Sequence, residues 1–455
     1  MVFRAGTFMG NFAGQCSRRF THMWQTWRTC LAFVLSLWCA GTGSARAEEG
    51  STRILSEPTD YTDVIDAADA DDPFDFDVHL GFERTSESGS LQRETTGSDT
   101  TTGLRHVADT SHVVNQLVLG LDAGLYQDLM VYARLPLVLS DTRTLSNGSS
   151  EAPGPGSSGT LFTVPFSAPT RSGVPAIDVG VAWGITNQFR RPTLPTWVVA
   201  IESRVGVGSD LKPCKAGSGC DAGISRGTAR LKLSSRWSYR FRFFEPYLGL
   251  SYAYEWATSA RDHFAPGGDL AGYVDTTPPT EAEGTLGVSI VPWEERGRFQ
   301  RFAIDLRGSA LLLSGGRDYT ALFDALGSSS SPFLTEKNSD HLVANSPGRK
   351  VPFTGLTNAD AHARVGLETA LVMQAAQYVR FRLGFGLAFV SPYLLTNTVR
   401  CNADSHAANG DPRAGDCYPN LWNPQYRPVI DLPGQRFRLV DDVVFDLFAT
   451  AIGQF

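Results

Sequence analysis

The sequence predicts an all-β fold, an antiparallel transmembrane β-barrel of about 12 strands with long extracellular loops and short periplasmic turns. Three observations predict it: apolar and polar residues alternate over a series of long segments, long and short connections follow one another in turn, and the chain opens with a secretory leader. The composition agrees, because 42% of the 455 residues are hydrophobic and only 19% are charged. That balance is too apolar for a disordered chain and poor in charge for a soluble enzyme.

Residues 1–47 have the pattern of a signal peptide. They hold five arginines and no acidic residue, an apolar core at 30–40, and the small-x-small cleavage pattern Ala45-Arg46-Ala47. Beyond this leader no apolar run reaches the ~18 residues of a membrane helix, which excludes a helical membrane protein. Removal of the five arginines changes the formal net charge from −7 to −12. A chain this acidic is not expected to bind nucleic acid.

Residues 48–72 form an acidic stretch without a strand pattern, which we interpret as a periplasmic N-terminal tail. Its acidic character comes largely from Asp60, Asp63, Asp66, Asp69, Asp71 and Asp72. A calcium-binding or plug-like tail is one interpretation, but a solvated linker is the expected one. The remaining residues, 73–455, are assigned to the barrel, with the N-terminus on the periplasmic side.

Twelve segments show the alternation that is typical of strands with one apolar and one polar face. In the first of them Phe74, Phe76 and Val78 alternate with Asp75 and Asp77. The predicted strands are 74–86, 112–125, 128–141, 174–186, 195–208, 227–241, 244–257, 282–292, 299–314, 360–374, 378–391 and 436–454. Most are longer than the ~9–11 residues that cross a bilayer at a steep tilt.

The connections between these strands alternate in length. Two residues separate strands 2 and 3, whereas strands 3 and 4 are joined through glycine- and proline-rich sequence at 148–156. Outer-membrane barrels have this asymmetry between tight periplasmic turns and long outer loops. The chain also ends in an aromatic residue, Phe455, on its last strand. The sequence therefore predicts the outer membrane of a Gram-negative bacterium, with its lipid as a partner.

Four of the seven cysteines lie outside the leader. An even number in an exported chain predicts disulfides, and proximity along the chain pairs Cys214 with Cys220 and Cys401 with Cys417. A metal site is the alternative, but neither pair has CxxC spacing or neighbouring paired histidines. Both predicted bonds fall in long outer loops.

Two segments resemble a known family. Residues 119–137 (LGLDAGLYQDLMVYARLPL) resemble its "GL…GL-x-D-x-L" hairpin, and residues 172–180 (SGVPAIDVG), with the strand that follows to 202, resemble its "SG-x-G-D" strand pair. This is the meta-pathway phenol degradation type of outer-membrane transporter, and deltaproteobacterial members of that kind are more similar. The resemblance covers residues 110–255. VPA at 174–176 replaces the usual second glycine, VGS at 207–209 replaces the usual PTG, and the later long loops are not shared. The resemblance to this family implies a barrel that transports a small, aromatic solute.

No catalytic, metal or cofactor site is predicted, and the chain is not expected to be an enzyme. An outer-membrane hydrolase is the enzyme alternative, because His79, His112 and His362 lie on predicted strands. None has a serine and a carboxylate or amide at recognisable partner spacing, although a triad is spatial rather than sequential. Aromatic residues near strand ends indicate an interfacial girdle rather than a stacking site for sugars or nucleic acid. They include Tyr247, Tyr252, Tyr254, Trp256, Trp183, Trp197 and Trp237.

In each predicted strand, every second residue faces the interior of the barrel. Many of these inward residues are charged, and acidic and basic ones are balanced in number. Such an interior can be a hydrated permeation path or a cross-braced, closed lumen, and the pattern does not separate the two. At the seam between strands 11, 12 and 1 we predict a constriction of five residues. Its members are Asp75, Asp77, Arg380, Arg382 and Asp446.

The function predicted from these features is passive or facilitated uptake of small molecules, which the resemblance implies are aromatic. A surface barrel whose long loops bind a partner is the alternative. The sequence does not predict the oligomeric state.

Overall fold

The structure is a computed structural model that describes residues 58–65, 76–96, 102–153, 159–268, 272–335, 351–376, 378–402, 406–407, 417–418 and 422–455. Predictions for the leader and for Asp75 therefore lie outside the described residues. Twelve long strands dominate the described chain. They are β1 (Phe76–Thr96), β2 (Thr102–Tyr126), β3 (Leu129–Ser146), β4 (Ala176–Thr186), β5 (Thr196–Gly206), β6 (Thr228–Ser238), β7 (Phe244–Ala257), β8 (Glu281–Glu295), β9 (Gln300–Leu313), β10 (His362–Ala376), β11 (Val379–Val390) and β12 (Phe437–Gln454).

The twelve strands form one closed antiparallel sheet. Each strand pairs with its neighbours in sequence, and β1 pairs with β12 from Asp77↔Gln454 to Arg93↔Phe437. Closure leaves no free edge along the bilayer-spanning part, which is the condition for a sheet to lie in lipid. The predicted twelve-stranded antiparallel barrel is confirmed.

The two ends of the barrel differ as the connection lengths predicted. Short turns join the strands at one end, where the Phe76 amide also donates to the Phe455 carbonyl (3.0 Å). Long connections lie at the other end, at 147–175, 207–227, 258–280, 314–361 and 391–436. By the asymmetry of outer-membrane barrels, the first end is periplasmic and the second is extracellular.

The outer face of the barrel carries exposed apolar side chains on one parity of each strand. The alternation in the sequence predicts that six residues, namely Val179, Val181, Trp183, Leu383, Phe385 and Leu387, face lipid, and all six are exposed on this face. In water such a surface would be strongly unfavourable, whereas in lipid it is the expected exterior. The protein is an outer-membrane barrel. Among the described residues, no helix is long and apolar enough to cross a membrane.

A charge placed in this apolar exterior should destabilise the barrel. Phe385 lies in the middle of the exposed row on β11 and is 51% accessible. We expect Phe385→Arg to lower the free energy of unfolding in vesicles by about 2–4 kcal/mol, since arginine near the bilayer midplane costs that much. Phe385→Leu keeps an apolar side chain and serves as the control. Equal urea midpoints for the two variants would contradict the assignment of this face to lipid.

The first hairpin is longer than predicted. Strands β1 and β2 continue to Thr96 and from Thr102, and they pair as far as Thr96↔Thr102, whereas the sequence predicted a long loop between 86 and 112. The prediction was wrong because residues 87–111 lose the apolar alternation above the membrane. There one face of the hairpin packs on outer loops through Leu91 and Val107, which are fully buried.

The outer loops and the strand extensions pack into a compact unit, which we call the outer cap. Within the described residues it contains four short helices: α1 (Arg261–Phe264), α2 (Phe323–Gly327), α3 (Pro332–Thr335) and α4 (Pro428–Asp431). Short two-stranded pairings also lie in the loops, between Gly316–Asp318 and Thr357–Ala359 and between His406–Ala407 and Cys417–Tyr418. Further short strands add Phe166–Ser167 and Arg171–Gly173 to β3, and Tyr393–Leu394 to β12.

The cap has its own hydrophobic core. Its buried members are Leu91, Val107, Ala108, Leu145, Leu161, Phe162, Phe166, Ala168, Leu322, Ala325, Leu326, Leu334, Leu395, Val429, Ile430, Phe437 and Leu439. The buried Arg171 of the β3–β4 connection forms an ion pair with Asp324 of the β9–β10 connection (2.6 Å). These connections leave strands six positions apart in a ring of twelve, on opposite sides of the barrel. The β9–β10 connection therefore crosses the extracellular mouth.

The cap also holds both disulfides. The structure joins Cys214 to Cys220 and Cys401 to Cys417, the pairing expected from sequence proximity. We expect exported protein, denatured without reductant, to show no free thiol among these four cysteines, and to show four after reduction. Thiol titration makes the measurement, and peptide mapping that found either cysteine pair exchanged would contradict the connectivity.

Candidate functional site

The barrel interior is lined by polar and charged side chains on the parity opposite to the apolar exterior. Many of them form ion pairs between neighbouring strands. Arg204 of β5 pairs with Asp178 of β4 (2.6 Å), and Arg382 of β11 pairs with Glu368 of β10 (2.8 Å). A pair of this kind in a hydrated lumen contributes only ~0–1 kcal/mol. The lining therefore shapes the electric field of the bore more than it stabilises the barrel.

Residues 58–65, part of the acidic N-terminal stretch, lie inside the barrel near its periplasmic end. We call them the lumen segment. They form no strand, and are held by side chains of the wall. For these eight residues the contacts agree with the plug-like interpretation and not with a solvated linker.

One arginine of the wall binds the lumen segment through two carboxylates. Arg380 Nη1 lies 3.2 Å from Asp60 Oδ1 and 3.1 Å from Asp63 Oδ2. Its Nη2 lies 3.7 Å from Asp77 of β1. Two of the three carboxylates around Arg380 therefore come from the segment, and only one comes from the wall.

Tyr61 occupies a shaped recess in the wall. Its ring stacks on Tyr247 of β7, with ring centroids 4.4 Å apart, and the guanidinium carbon of Arg307 lies 5.0 Å from its centroid. Arg236 Nη1 donates to the Tyr61 carbonyl (2.9 Å). The recess exists because position 249 is glycine: a Cβ there would lie 1.7 Å from the Tyr61 hydroxyl oxygen. Tyr247, predicted to face outwards, is buried in the lumen, because the register of β7 places it on the same parity as Glu245.

The contacts of the lumen segment reach opposite sides of the bore. The Thr59 amide donates to the fully buried Glu245 carboxylate of β7 (3.1 and 3.2 Å), and the Thr62 hydroxyl is 2.7 Å from Ser238 Oγ. Val64 packs in an apolar cluster with Met130, Ala182, Val198 and Ala200 of β3–β5. Asp60 and Asp63 meanwhile reach β11, which lies across the ring from β5. The segment thus crosses the bore.

A cavity of about 590 Å³ adjoins the lumen segment. The segment lines it together with inward residues of many strands, including Asp122, Tyr132, Glu202, Lys232, Arg307 and Arg382. This volume lies within the ~300–1,000 Å³ typical of small-molecule sites. A second cavity, of about 250 Å³, lies under the outer cap and is lined by residues that include His112, Arg226, Tyr319 and Tyr393.

The predicted constriction residues are brought together only in part. Asp77 and Arg380 meet across the seam, but Arg382 pairs with Glu368 (2.8 Å) and Asp305 (3.8 Å) on the other side. Asp446 instead accepts from Thr85 (2.7 Å) and Arg364 (3.2 Å). The register explains this, because Asp446 pairs with Gly386 on β11. Gly386 lies four positions after Arg382, which is about 13 Å along the strand. Asp75 lies outside the described residues.

The histidines predicted on strands are inward and hydrogen-bonded. His79 contacts Asp122 (2.9 Å) and His112 contacts Asp141 (3.0 Å), while His362 stacks on Tyr393. A hydrolase would need a nucleophile aligned with one of these imidazoles. The hydrogen bonds of His79 and His112 in the described part of the chain go to carboxylates, which is the arrangement of lumen ion pairs. Within the same residues, no cluster of His, Cys, Asp and Glu could hold a metal ion.

The recess at Gly249 gives a direct test of the lumen segment. We expect Gly249→Ala to displace Tyr61 and to raise the ion conductance of the refolded barrel, because the added Cβ would overlap the phenol. Gly386→Ala is the matched control: it is also inward, but its Cβ would make an ordinary 3.5 Å contact with Asp446. Equal conductance of the two variants in planar bilayers would show that the Tyr61 recess does not restrict the bore.

Comparison with known proteins gives likenesses of architecture. No protein-family model matches the chain, and no curated protein matches its sequence. Among solved structures, it is similar to an outer membrane channel from Pseudomonas putida F1 (9% identity, TM-score 0.40, covering 88% of this chain and 99% of that one). It is also similar to the translocator domain of the autotransporter NalP from Neisseria meningitidis (8%, 0.34, 85% and 90%) and to the P. putida toluene transporter TodX (10%, 0.30, 88% and 93%). At these TM-scores we base no argument on the likenesses.

Proposed function

We propose that this protein is an outer-membrane channel for small solutes, and that residues 58–65 obstruct its bore in the state described. The observation that carries the proposal is the interior itself. It holds a cavity of about 590 Å³ walled by charged side chains, and a segment crosses it without joining the sheet. A barrel that served only as a scaffold would not need a hydrated, charged lumen of this size.

The contacts of the lumen segment support a removable obstruction. Arg380 holds Asp60 and Asp63 by ion pairs that line the cavity, so water can take the place of the two carboxylates at the guanidinium when the segment leaves. The segment makes no ladder of backbone hydrogen bonds with the wall. It can therefore leave while the barrel stays closed, because all twelve strand pairings are independent of it.

The test is liposome swelling with solutes of graded size. Wild-type protein is expected to pass small solutes slowly, and Asp60→Asn with Asp63→Asn to pass them faster, since the amides lose the charge that Arg380 holds. Glu295→Gln is the control, because it changes a carboxylate in an exposed periplasmic turn pair with Arg298. Impermeable liposomes for all three proteins would refute the channel.

A surface barrel whose loops bind a partner is the second candidate, and the outer cap favours it. The β9–β10 connection crosses the extracellular mouth and packs in a hydrophobic core. If the cap stays closed, no solute passes, whatever the lumen segment does. Impermeability that persists after the segment is released would favour this candidate.

A further inference from the structure

The recess in the wall accommodates a particular chemical group. Asp60 and Tyr61 are adjacent in sequence, so the segment presents a carboxylate and a phenol ring from neighbouring residues. The carboxylate lies at Arg380 (3.2 Å), and the ring lies on Tyr247 (4.4 Å between centroids) with its hydroxyl at Gly249. The recess in the wall is thus occupied by an aromatic ring, with an anion from the preceding residue.

The receiving groups belong to the barrel and are held in place without the segment. The Tyr247 hydroxyl donates to Asp305 (2.7 Å), and Arg307 Nε donates to the Tyr247 hydroxyl (3.2 Å). Arg307 also pairs with Glu368 (3.5 Å). The aromatic face and the cation beside it therefore keep their orientation when Tyr61 leaves. Preorganised groups of this kind reduce the entropic cost of binding.

Arg380 is the group that would lose most of its partners. After the segment leaves, its remaining carboxylate is Asp77, at 3.7 Å. A guanidinium in a partly buried position binds a carboxylate by charge-assisted hydrogen bonds, and an aromatic solute gains stacking and cation–π contact in the same place. A neutral arene would leave Arg380 unsatisfied, and an aliphatic acid would leave Tyr247 uncovered.

From this geometry we propose that the recess formed by Tyr247, Gly249, Arg307 and Arg380 binds an aromatic carboxylate, and that Asp60 and Tyr61 act there as an internal competitor. The inference rests on the proposed channel function, since a solute site inside a sealed barrel would have no use. The solutes expected to bind are arenes that carry a carboxylate, and neutral arenes should bind more weakly.

The experiment measures binding to full-length protein in detergent micelles by calorimetry, so that no transport is needed. The probes are 4-hydroxyphenylacetate, phenol as the neutral ring, and hexanoate as the aliphatic acid. In the variant Asp60→Asn with Tyr61→Ala, we expect 4-hydroxyphenylacetate to bind about tenfold more tightly than in wild type, because the competitor is gone. It should also bind about tenfold more tightly than either phenol or hexanoate.

Adding Arg380→Met to that variant should abolish the preference for 4-hydroxyphenylacetate over phenol. Arg298→Met, at an exposed turn position, should leave it unchanged. Equal binding of the three probes, or a preference that survives Arg380→Met, would overturn the inference. Binding and conduction are measured separately, so the two proposals can fail separately. A barrel that conducts but shows no preference for 4-hydroxyphenylacetate would refute the binding site alone. A barrel that shows the preference but never conducts would refute the channel.

Discussion

Deletion of residues 58–65 should raise the ion conductance of the refolded barrel several-fold. The segment contacts Glu245 on β7 and the apolar cluster on β3–β5, and Arg380 of β11 holds it from the opposite side of the bore. Removing it joins the space it fills to the cavity of about 590 Å³ beside it. Arg380 then faces the bore with one carboxylate neighbour instead of three, so selectivity should shift towards anions. Planar bilayer recordings measure both quantities.

Deletion of residues 50–57 is the matched control, because it shortens the chain by the same length and leaves the lumen segment intact. It should conduct as wild type does. If deletion of 58–65 left conductance unchanged while the barrel remained heat-modifiable on gels, the restriction would lie in the outer cap and not in the segment.

Asp324→Ala should destabilise the outer cap by about 3–5 kcal/mol, the usual cost of removing one partner from a buried ion pair. The side chains of Arg171 and Asp324 are 1% and 4% exposed and meet through two contacts, at 2.6 and 3.2 Å. Asp324 also accepts from the Cys214 amide (3.0 Å), which ties in a third loop. Without it, the guanidinium stays buried, and its remaining partners in the described part of the chain are the backbone carbonyls of Lys212 and Ala222. Faster hydrogen exchange in residues 161–175 and 322–327 measures the loss.

Two variants delimit that result. Arg171→Met with Asp324→Leu removes both charges and should recover most of the stability, because an apolar pair of similar volume leaves no buried charge. Glu295→Ala breaks an exposed pair with Arg298 and should cost only ~0–1 kcal/mol. Wild-type exchange in the Asp324→Ala cap would contradict the role of the pair across the mouth.

The barrel was predictable from sequence because lipid imposes one apolar parity on every strand within the bilayer. The six residues predicted to face lipid, which include Val179 and Leu383, follow that rule, whereas Tyr247 was predicted to face outwards and lies in the lumen. Above the bilayer the rule lapses, and the hairpin from Glu87 to Ser111 was therefore predicted as a loop. Its strands bury residues against the cap rather than against lipid, and that pattern depends on loops far away in sequence.

The candidate site was predictable only in part. The alternation of apolar and polar residues predicted that Asp77, Arg380 and Arg382 face the interior. Their partners depend on how far each strand is shifted relative to its neighbours, and alternation carries no information on that shift. Asp446 shows this, since its pairing with Gly386 removes it from the level of Arg382. A plug-like tail was the less expected interpretation of the acidic stretch, because residues 58–65 have no periodicity. Its only signal was an acidic tail placed before a barrel whose inward face carries arginines.

The composition of the cap core ties the last step of biogenesis to the folding of the surface. Leu91 comes from β1, whereas Phe437 and Leu439 come from β12, and all three are buried in the same cluster. These strands lie at the two ends of the barrel sequence and become neighbours only when the seam closes. A chain in which β1 and β12 have not yet paired cannot complete this cluster. The outer loops therefore acquire their native packing only when the seam has closed.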